Sequence, residues 1–126
     1  MTTYQKGSRA ERELINHFSA NGFSVIRAAG SGVNSLCPDI LVFKHGVQYA
    51  IESKAWEKEH LNLDKAQFLN LRKWEENTGI TCLIAWRRNR IGWRFIPISI
   101  FQETPKSFSL NWKTAESMGK QLNEII

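Results

Sequence analysis

The segment at residues 80–86 restricts the fold more than any other, because nearly every side chain in it is apolar. Such a strand is stable when both of its faces are covered, so the run predicts a central strand inside a layered structure. Shorter stretches rich in strand-forming residues occur at 23–28, 39–43, 47–54 and 93–98. A sheet of five strands is therefore expected, with further elements packed on its faces.

Two segments have the hydrophobic spacing of helices that can supply those outer layers. Apolar residues recur at three- and four-residue steps in 5–20 and again in 63–77. Asn21 with Gly22, and later Gly79, provide the stop signals. The predicted order of elements is αβββαββ, an α/β fold with a central mixed five-stranded sheet flanked by helices.

The length of the chain indicates a single domain. A chain of 126 residues has the usual size of one domain, so residues 1–126 are expected to share a core located at about 5–101. Signals in the segment 102–126 are weaker, and Pro105 interrupts it. A short terminal helix is suggested by three apolar residues, Met118, Leu122 and Ile125.

Charge and cysteine content restrict the cellular compartment and the chemical class of the binding partner. Lysine and arginine number 17 against 12 acidic residues, a net charge of +5 that favours a polyanionic partner. Cys37 and Cys82 lie far apart without metal-ligand spacing, so neither a disulfide framework nor a zinc site is expected, and a reduced, cytoplasmic setting fits. No apolar run approaches the ~20 residues of a membrane helix, and the start lacks an apolar signal segment. Neither export nor a membrane is expected.

Glu52 and Lys54 lie two residues apart in a predicted strand, so their side chains should project from the same face. Asp39 opens the preceding strand, and a tight turn at 44–46 would join the two strands as a hairpin. The carboxylate of Asp39 should therefore reach the region of Glu52. Two carboxylates this close repel each other unless a divalent cation binds both, and hard oxygen ligands suit Mg²⁺. The pattern predicts metal-assisted phosphodiester hydrolysis, which is nuclease chemistry.

Two roles are open to Lys54 beside such a metal. It can orient or help deprotonate the attacking water, or it can neutralise the charge that develops at phosphorus. A Glu-x-Lys pair on an exposed strand is more commonly a solvated salt bridge worth under about 1 kcal/mol. Here, however, Asp39 and Glu52 adjoin strongly apolar sequence, where an acidic side chain is costly unless it has a use.

Only one of two acids in the first predicted helix can face the sheet, because Glu11 and Glu13 point about 200° apart around the axis. Glu11 precedes Leu14 and Ile15 by three and four residues, which places it at the margin of the buried face. Glu13 is expected to form a solvated pair one helical turn away. Glu11 also completes an S-x-x-E capping box from Ser8 if the helix begins there, so a structural role stays open.

Several short motifs occur in a consistent order along the chain. They are Lys6-Gly7-Ser8 with Glu11-Arg12, Val25-Ile26-Arg27 leading to Gly30-Ser31, Pro38-Asp39, Glu52-Ser53-Lys54 and Gly92-Trp93-Arg94-Phe95-Ile96. This ordered set resembles the archaeal-type Holliday junction resolvases, a family of the PD-(D/E)xK nucleases. The resemblance spans roughly residues 6–98 and implies a restriction-endonuclease-like core.

The resemblance implies roles for individual residues of the predicted site. It implies that Mg²⁺, for which Mn²⁺ should substitute, is bound by the carboxylates of Glu11, Asp39 and Glu52 and by the backbone carbonyl of Ser53. It also implies that Lys54 is the catalytic lysine of the family signature.

The same resemblance implies contacts to DNA from Arg12 and Arg27. It places Ser31 in a loop that approaches the scissile strand, and Gln67 beside the catalytic core. An ordinary Gly-Ser-Gly turn explains Ser31 equally well, and Gln67 has the alternative of satisfying buried backbone groups.

Basic residues outside the loop at 30–37 must supply the remaining phosphate contacts, because that loop contains no lysine or arginine. The candidates are Lys6, Arg9, Arg12 and Arg27, with Lys58 and Lys65. A second cluster, Arg87, Arg88 and Arg90, either binds phosphate or makes a turn soluble, and solubility is slightly favoured.

The expected function is therefore a structure-selective endonuclease that resolves four-way junctions by paired cuts in opposing strands. By the same resemblance the enzyme is a homodimer with one active site per chain, and no small-molecule cofactor is expected. Four aromatic residues fit either the dimer surface or the monomer core: Trp86, Trp93, Phe95 and Phe101. Two alternatives stay open, a nuclease of the same core for flap, mismatched or restriction-site DNA, and a non-catalytic DNA-binding module.

Overall fold

The computed structural model describes residues 2–28 and 37–126. The helices and strands are α1 Thr3–Ala20, β1 Ser24–Arg27, β2 Ile40–Lys44, β3 Val47–Ala55, β4 His60–Asp64, α2 Lys65–Thr78, β5 Thr81–Arg88, β6 Gly92–Pro97, β7 Gln102–Glu103, β8 Ser107–Asn111, α3 Trp112–Met118 and α4 Leu122–Ile125. A 3₁₀ helix, Ile98–Ile100, follows β6. In these described ranges no helix is both long and apolar enough to cross a membrane.

The larger sheet has the five strands that the sequence predicts, in the spatial order β1-β2-β3-β5-β6. Its neighbouring strands are antiparallel except for β3 and β5, which are parallel, so the sheet is mixed as expected. Residues 82–86 of β5 are buried, which confirms the central strand predicted from its apolar run. α2 lies in the crossover that connects the two parallel strands.

Each face of this sheet carries its own apolar layer. Leu14 of α1 shares one cluster with Ile51 of β3, whereas Phe68 of α2 shares the other cluster with Ala50. Successive side chains of a strand point to opposite faces. Glu52, two residues after Ala50, therefore faces the α2 side of the sheet.

The start of α1 is fixed by a cap that lies before the predicted helix. The Thr2 side chain accepts a hydrogen bond from the backbone N–H of Gln5, and the Gln5 side chain accepts one from the backbone N–H of Thr2. The alternative start, with a capping box from Ser8 to Glu11, is therefore wrong. Ser8 lies more than one turn inside the helix, where backbone N–H groups bond to the preceding turn.

An additional strand, β4, replaces the end of the predicted charged connection and the first turn of the predicted second helix. Leu61 and Leu63 are buried while the three other residues of β4 are exposed, a period of two that identifies a strand. The prediction assigned Leu63 to the helix because its spacing from Leu71 also fits a helical face. The order αβββαββ therefore lacks a strand between the hairpin and α2.

The segment 102–126 forms regular structure and completes a second sheet of order β4-β8-β7. Phe108 and Trp112 of this segment join the α2-side cluster, so the core extends beyond the predicted limit. The expected terminal helix is present as two short pieces, α3 and α4. A Cβ at Gly119, between them, would lie 2.6 Å from the carbonyl oxygen of Ala115, so the chain requires glycine there.

The four aromatic residues that could have formed a dimer surface are buried within the monomer. Trp86, Trp93, Phe95 and Phe101 each expose 6% or less of their surface. Trp86 packs edge-on against Trp112 from the C-terminal segment, with ring centroids 4.9 Å apart. The interface interpretation of these four residues is therefore wrong, because the two apolar layers already contain them.

Candidate active site

The register of the β2–β3 hairpin is set by its two-residue turn. His45 and Gly46 have φ values of 46° and 83°, and positive φ at both positions is the turn geometry whose twist matches the flanking strands. Ile40 consequently pairs with Ile51 in the antiparallel ladder. The next step of this register places the residue before Ile40 opposite the residue after Ile51.

Those two residues are Asp39 and Glu52, and backbone hydrogen bonds hold both carboxylates. The backbone N–H of Asp39 donates to Glu52 Oε1 at 3.2 Å, and the backbone N–H of Ser53 donates to Asp39 Oδ2 at 2.9 Å. The predicted approach of the two acids across the hairpin is therefore observed.

Gln67 of α2 connects Glu52 to Lys54. Its Nε2 donates to Glu52 Oε2 at 2.7 Å, and its Oε1 accepts from Lys54 Nζ at 3.5 Å. Lys54 Nζ also lies 3.9 Å from Glu52 Oε2, which confirms that both side chains project from one face of β3. Gln67 thus contacts the side chains of the site, rather than the buried backbone groups of the alternative interpretation.

Burial makes the two carboxylates costly to ionise together. Burial, and then the charge of Asp39, raises the pKa of Glu52 to about 7. Burial also raises the pKa of Asp39, and the charge of Glu11 adds to that rise. Lys54 opposes both shifts without cancelling them. A buried and a half-buried carboxylate with insufficient positive charge nearby form a donor set that a hard divalent cation stabilises, so the residues fit Mg²⁺.

Glu11 lies beside these acids but its carboxylate is bound elsewhere. Its Oε1 accepts a hydrogen bond from Arg27 Nε at 2.8 Å. Across residues 2–28 and 37–126, no three acidic, histidine or cysteine side chains are placed closely enough to hold a metal ion. The expected trio of Glu11, Asp39 and Glu52 is therefore not assembled in this structure. The physical reason is that α1 packs on the opposite face of the sheet from Glu52 and that Arg27 binds the Glu11 side chain.

A cleft of about 460 Å³ connects these groups to solvent. Its walls come from the first half of α1, the end of β1, Asp39 and the acidic end of β3; the lining residues are Thr3, Tyr4, Gly7, Ser8, Glu11, Arg27, Ala28, Asp39, Glu52, Ser53 and Lys54. A second cavity of about 330 Å³ shares Asp39 and Glu52 and extends toward Gln67 and Asn70 of α2. The two acids therefore stand between two solvent-accessible cavities.

Comparison with known proteins identifies the family of this chain. The model of the archaeal Holliday junction resolvase (Hjc) family matches residues 2–126. The chain belongs to this family. It is 31% identical over 121 residues to the crossover junction endodeoxyribonuclease Hjc of Archaeoglobus fulgidus, a match that covers 95% of this chain and 88% of the relative. The Hjc protein of Sulfurisphaera tokodaii is 26% identical over 125 residues, covering 96% and 85% of the two chains.

Solved structures show the same relationship in the fold. The Hjc structure from Archaeoglobus fulgidus superposes with a TM-score of 0.85 at 30% identity, over 94% of this chain and 98% of that chain. A bacterial homing endonuclease superposes with a TM-score of 0.55 at 15% identity, over 87% and 75% of the two chains, a likeness of fold alone. The predicted restriction-endonuclease-like α/β core is therefore confirmed.

The basic residues predicted to contact DNA differ in how they are placed in this resolvase-family chain. Lys6 forms an ion pair with Glu57, with 2.7 Å between Nζ and Oε2. Arg9 and Arg12 are exposed on α1 and both line a shallow surface cavity apart from the acids. Arg27 is exposed at the mouth of the acidic cleft. Ser31 lies outside the described residues, and its role stays a prediction.

The sequence interpretation missed one residue that orients the site. Asp64 caps α2 by accepting a hydrogen bond from the backbone N–H of Gln67 at 2.7 Å. This cap fixes the first turn of the helix that presents the Gln67 side chain to Glu52. The signal was present as an Asp three residues before a Gln, but it was hidden because the helix was predicted to begin at Leu63.

Proposed function

We propose that this chain is a Mg²⁺-dependent endodeoxyribonuclease that resolves four-way DNA junctions by cutting two opposing strands. The observation that carries the proposal is the convergence of Asp39, Glu52 and Lys54 at one solvent-accessible cleft. Membership of the Holliday junction resolvase family supports the substrate class. Mn²⁺ is expected to substitute for Mg²⁺, since it also takes carboxylate and carbonyl ligands.

The residues that would hold the metal are Asp39 and Glu52, with the backbone carbonyl of Ser53 and, once it is released from Arg27, Glu11. When bound, the ion would supply a Lewis acid for the phosphate and lower the pKa of a bound water. The protein holds the two central carboxylates in place before any ligand arrives, because backbone N–H groups fix them. This preorganisation reduces the reordering required during catalysis.

Lys54 is the residue positioned to act on the reacting groups. Its side chain is 29% exposed and lines the cleft, and Glu52 and Gln67 both lie near its ammonium group. From this position it can orient the attacking water or stabilise the charge that develops on the phosphate. Gln67 holds Glu52 and Lys54 in a fixed relation, and Asp64 holds Gln67.

DNA binding in this proposal depends mainly on phosphate contacts. Arg27 lies at the mouth of the cleft, where it can contact the DNA backbone beside the acids, and the exposed Arg9 and Arg12 of α1 are expected to contact the backbone farther from the cleft. Phosphate contacts position a protein on DNA without reading its sequence, so selectivity for a junction would come from its shape.

Two matched cuts require two active sites, and the described residues of one chain form a single cleft that combines the acid pair with Lys54. We therefore propose a homodimer whose twofold symmetry matches that of a four-way junction. The four buried aromatic residues do not form its interface, so the dimer surface involves other residues.

The test is cleavage of a synthetic four-way junction, with the cut sites mapped on all four strands in Mg²⁺, in Mn²⁺ and in EDTA. Symmetric cuts in two opposing strands, present with either metal and absent in EDTA, are expected. A flap and a linear duplex of matched length are the comparison substrates. Equal cutting of all three DNAs would show that the protein is a nuclease without selectivity for junctions. Binding of the junction without cutting would favour a non-catalytic DNA-binding module. Light scattering of the free protein measures whether it is a dimer.

A further inference from the structure

Arg27 and Glu11 form the closest ion pair at the rim of the acidic cleft. Arg27 Nε lies 2.8 Å from Glu11 Oε1, and the two side chains expose 63% and 19% of their surfaces. The carboxylate is therefore mostly enclosed while the guanidinium is mostly in solvent. Such a pair can exchange its partner at the exposed side, because the arginine needs no repacking to leave.

The acid pair at the base of the cleft lacks one negative oxygen donor while this ion pair is formed. Asp39 and Glu52 face each other, and Glu11 lines the same cleft but is neutralised by Arg27. The charge of Glu11 still reaches Asp39 strongly enough to contribute to the raised pKa of Asp39. Glu11 thus lines the same cleft as Asp39 and Glu52, but its carboxylate is bound by Arg27.

We propose that Arg27 is a positioning residue that exchanges Glu11 for a DNA phosphate, so that the third carboxylate becomes available to the metal only in the DNA complex. The inference rests on the proposed function, because it requires that DNA binds at this cleft. Arginine suits the exchange, since its planar guanidinium donates to carboxylate and phosphate with the same geometry. After the exchange Arg27 still has an anionic partner and Glu11 gains a cationic one, so no buried charge is left alone.

The consequence is a reciprocal coupling between metal and DNA. If DNA binding raises the affinity for the metal by some factor, metal binding must raise the affinity for DNA by the same factor. The free protein would then hold the metal weakly, and the complete metal site would form where a phosphodiester is present. Part of any coupling also comes from the phosphate oxygens themselves, so the share due to Arg27 has to be measured by substitution.

The first measurement uses calorimetry to determine the affinity of the free full-length protein for Ca²⁺. Ca²⁺ is used because its looser coordination allows binding with little cleavage. Arg27→Gln should bind Ca²⁺ about 5- to 10-fold more tightly than the wild-type protein, within the usual range of coupling. The matched control is Arg12→Gln, which removes the same charge from an exposed arginine without an ion pair to Glu11, and it should change the affinity less than about twofold.

The second measurement is the affinity for a four-way junction in EDTA and in saturating Ca²⁺. The coupling is the Kd for the junction in EDTA divided by the Kd in Ca²⁺. This ratio should fall about 5- to 10-fold in Arg27→Gln relative to the wild type and should stay unchanged in Arg12→Gln. Arg27→Lys, which keeps the charge but loses the planar guanidinium, should give an intermediate ratio. The lysine variant also preserves the test if the glutamine variant fails to fold.

A double-mutant cycle separates exchange from a general effect of charge. In a Glu11→Gln background, Arg27→Gln should no longer change Ca²⁺ affinity, because Arg27 acts through Glu11. An equal increase of affinity with or without Glu11 would overturn the proposal in favour of long-range electrostatics. Failure of the wild-type protein to bind any junction would instead contradict the proposed function. Junction binding and cleavage with unaltered coupling in Arg27→Gln would contradict only this inference.

Discussion

Two regions of the molecule contain similar charged residues, but the pKa values of their acids are shifted in opposite directions. At the cleft, Glu52 is buried and Asp39 half-buried beside a single lysine, Lys54, and burial raises the pKa of both acids. Near the β5–β6 turn, Arg87 Nε lies 2.9 Å from Glu13 Oε2, and Arg88 Nη1 lies 3.3 Å from a carboxylate oxygen of Glu59. We call this second region the paired cluster, and it includes Glu57 and Trp112.

The difference lies in how completely each acid is matched by a donor. Partial burial of Glu57 is outweighed by a hydrogen bond from Lys6 and another from the backbone N–H of Asn89, so the pKa of Glu57 is lowered. Arg88 also donates to the backbone carbonyl of Glu57 at 2.8 Å and lies over the Trp112 ring. The paired cluster therefore joins separate parts of the fold, whereas the cleft retains an unbalanced negative charge that a ligand can neutralise. Arg87 and Arg88 therefore bind groups of the chain itself, and phosphate binding by this cluster stays a prediction.

The largest expected effect is the loss of cleavage when the cleft loses one carboxylate. Asp39→Asn keeps a side-chain oxygen to accept from the Ser53 backbone N–H but removes the negative charge. We expect junction cleavage in Mg²⁺ to fall by at least about 10³-fold, because a metal ligand is lost, while junction affinity in EDTA changes little. Glu76→Gln, an exposed position on α2, is the control and should cut at the wild-type rate. Cleavage at the wild-type rate in Asp39→Asn would show that the cleft is not the catalytic site.

The next effect is the pH dependence of stability in the absence of metal. The pKa of Glu52 is raised from 4.5 to about 7 in the folded protein. Below pH 4.5 this shift does not affect the free energy of unfolding, because Glu52 is protonated in both the folded and the unfolded chain. As the pH rises from 4.5 to about 7, the unfolded chain loses this proton first, and stability should fall by at most about 3 kcal/mol. Urea unfolding in EDTA at pH 5 and pH 8 measures this change. Glu52→Gln should show a smaller fall, and Glu76→Gln should behave like the wild type; equal falls in all three would show that Glu52 is not the cause.

The paired cluster should affect stability and leave the chemistry unchanged. Arg88→Ala removes the ion pair to Glu59, the hydrogen bond to the Glu57 carbonyl and the contact with Trp112. We expect a loss of about 1–3 kcal/mol in the free energy of unfolding, with cleavage of the junction at the wild-type rate in the folded variant. Arg90→Ala is the matched control on the same turn, where the described residues show no ion pair, and it should be neutral. A cleavage defect in Arg88→Ala without a loss of stability would indicate phosphate binding instead.

The centre of the site could be predicted because its geometry is local. Glu52 and Lys54 share a face through strand alternation, and Asp39 reaches Glu52 through a hairpin register that a short turn determines. Each step follows from the spacing of a few residues along the chain. The same locality explains why the apolar strand β5 and the stops at Gly79 and Asn21 were predicted correctly.

The remaining contacts could not be predicted because they join elements whose packing the local pattern does not determine. Glu13 was expected to form a solvated pair within α1, and it does approach His17, but it also binds Arg87 from β5, 74 residues away. Glu11 was expected at the metal, but the position of β1 relative to α1 gives its carboxylate to Arg27. β4 was missed for a related reason: its pairing partner β8 lies more than forty residues later in the chain.

The smallest expected effect is on junction binding by Lys65, which forms an exposed ion pair and tests whether such a residue contacts DNA or only another side chain of the fold. Lys65 Nζ lies 3.1 Å from Glu103 Oε2, and the side chains expose 37% and 64% of their surfaces, so the pair should add less than about 0.5 kcal/mol to stability. Lys65 is also a candidate phosphate contact. If it contacts DNA, Lys65→Gln should weaken junction binding about threefold and lower the dependence of log Kd on log salt by about one unit. Glu103→Gln should tighten binding slightly, because the lysine loses its competing partner. Unchanged binding in both variants would place Lys65 with the structural pairs and limit the DNA-binding surface to the α1 side of the cleft.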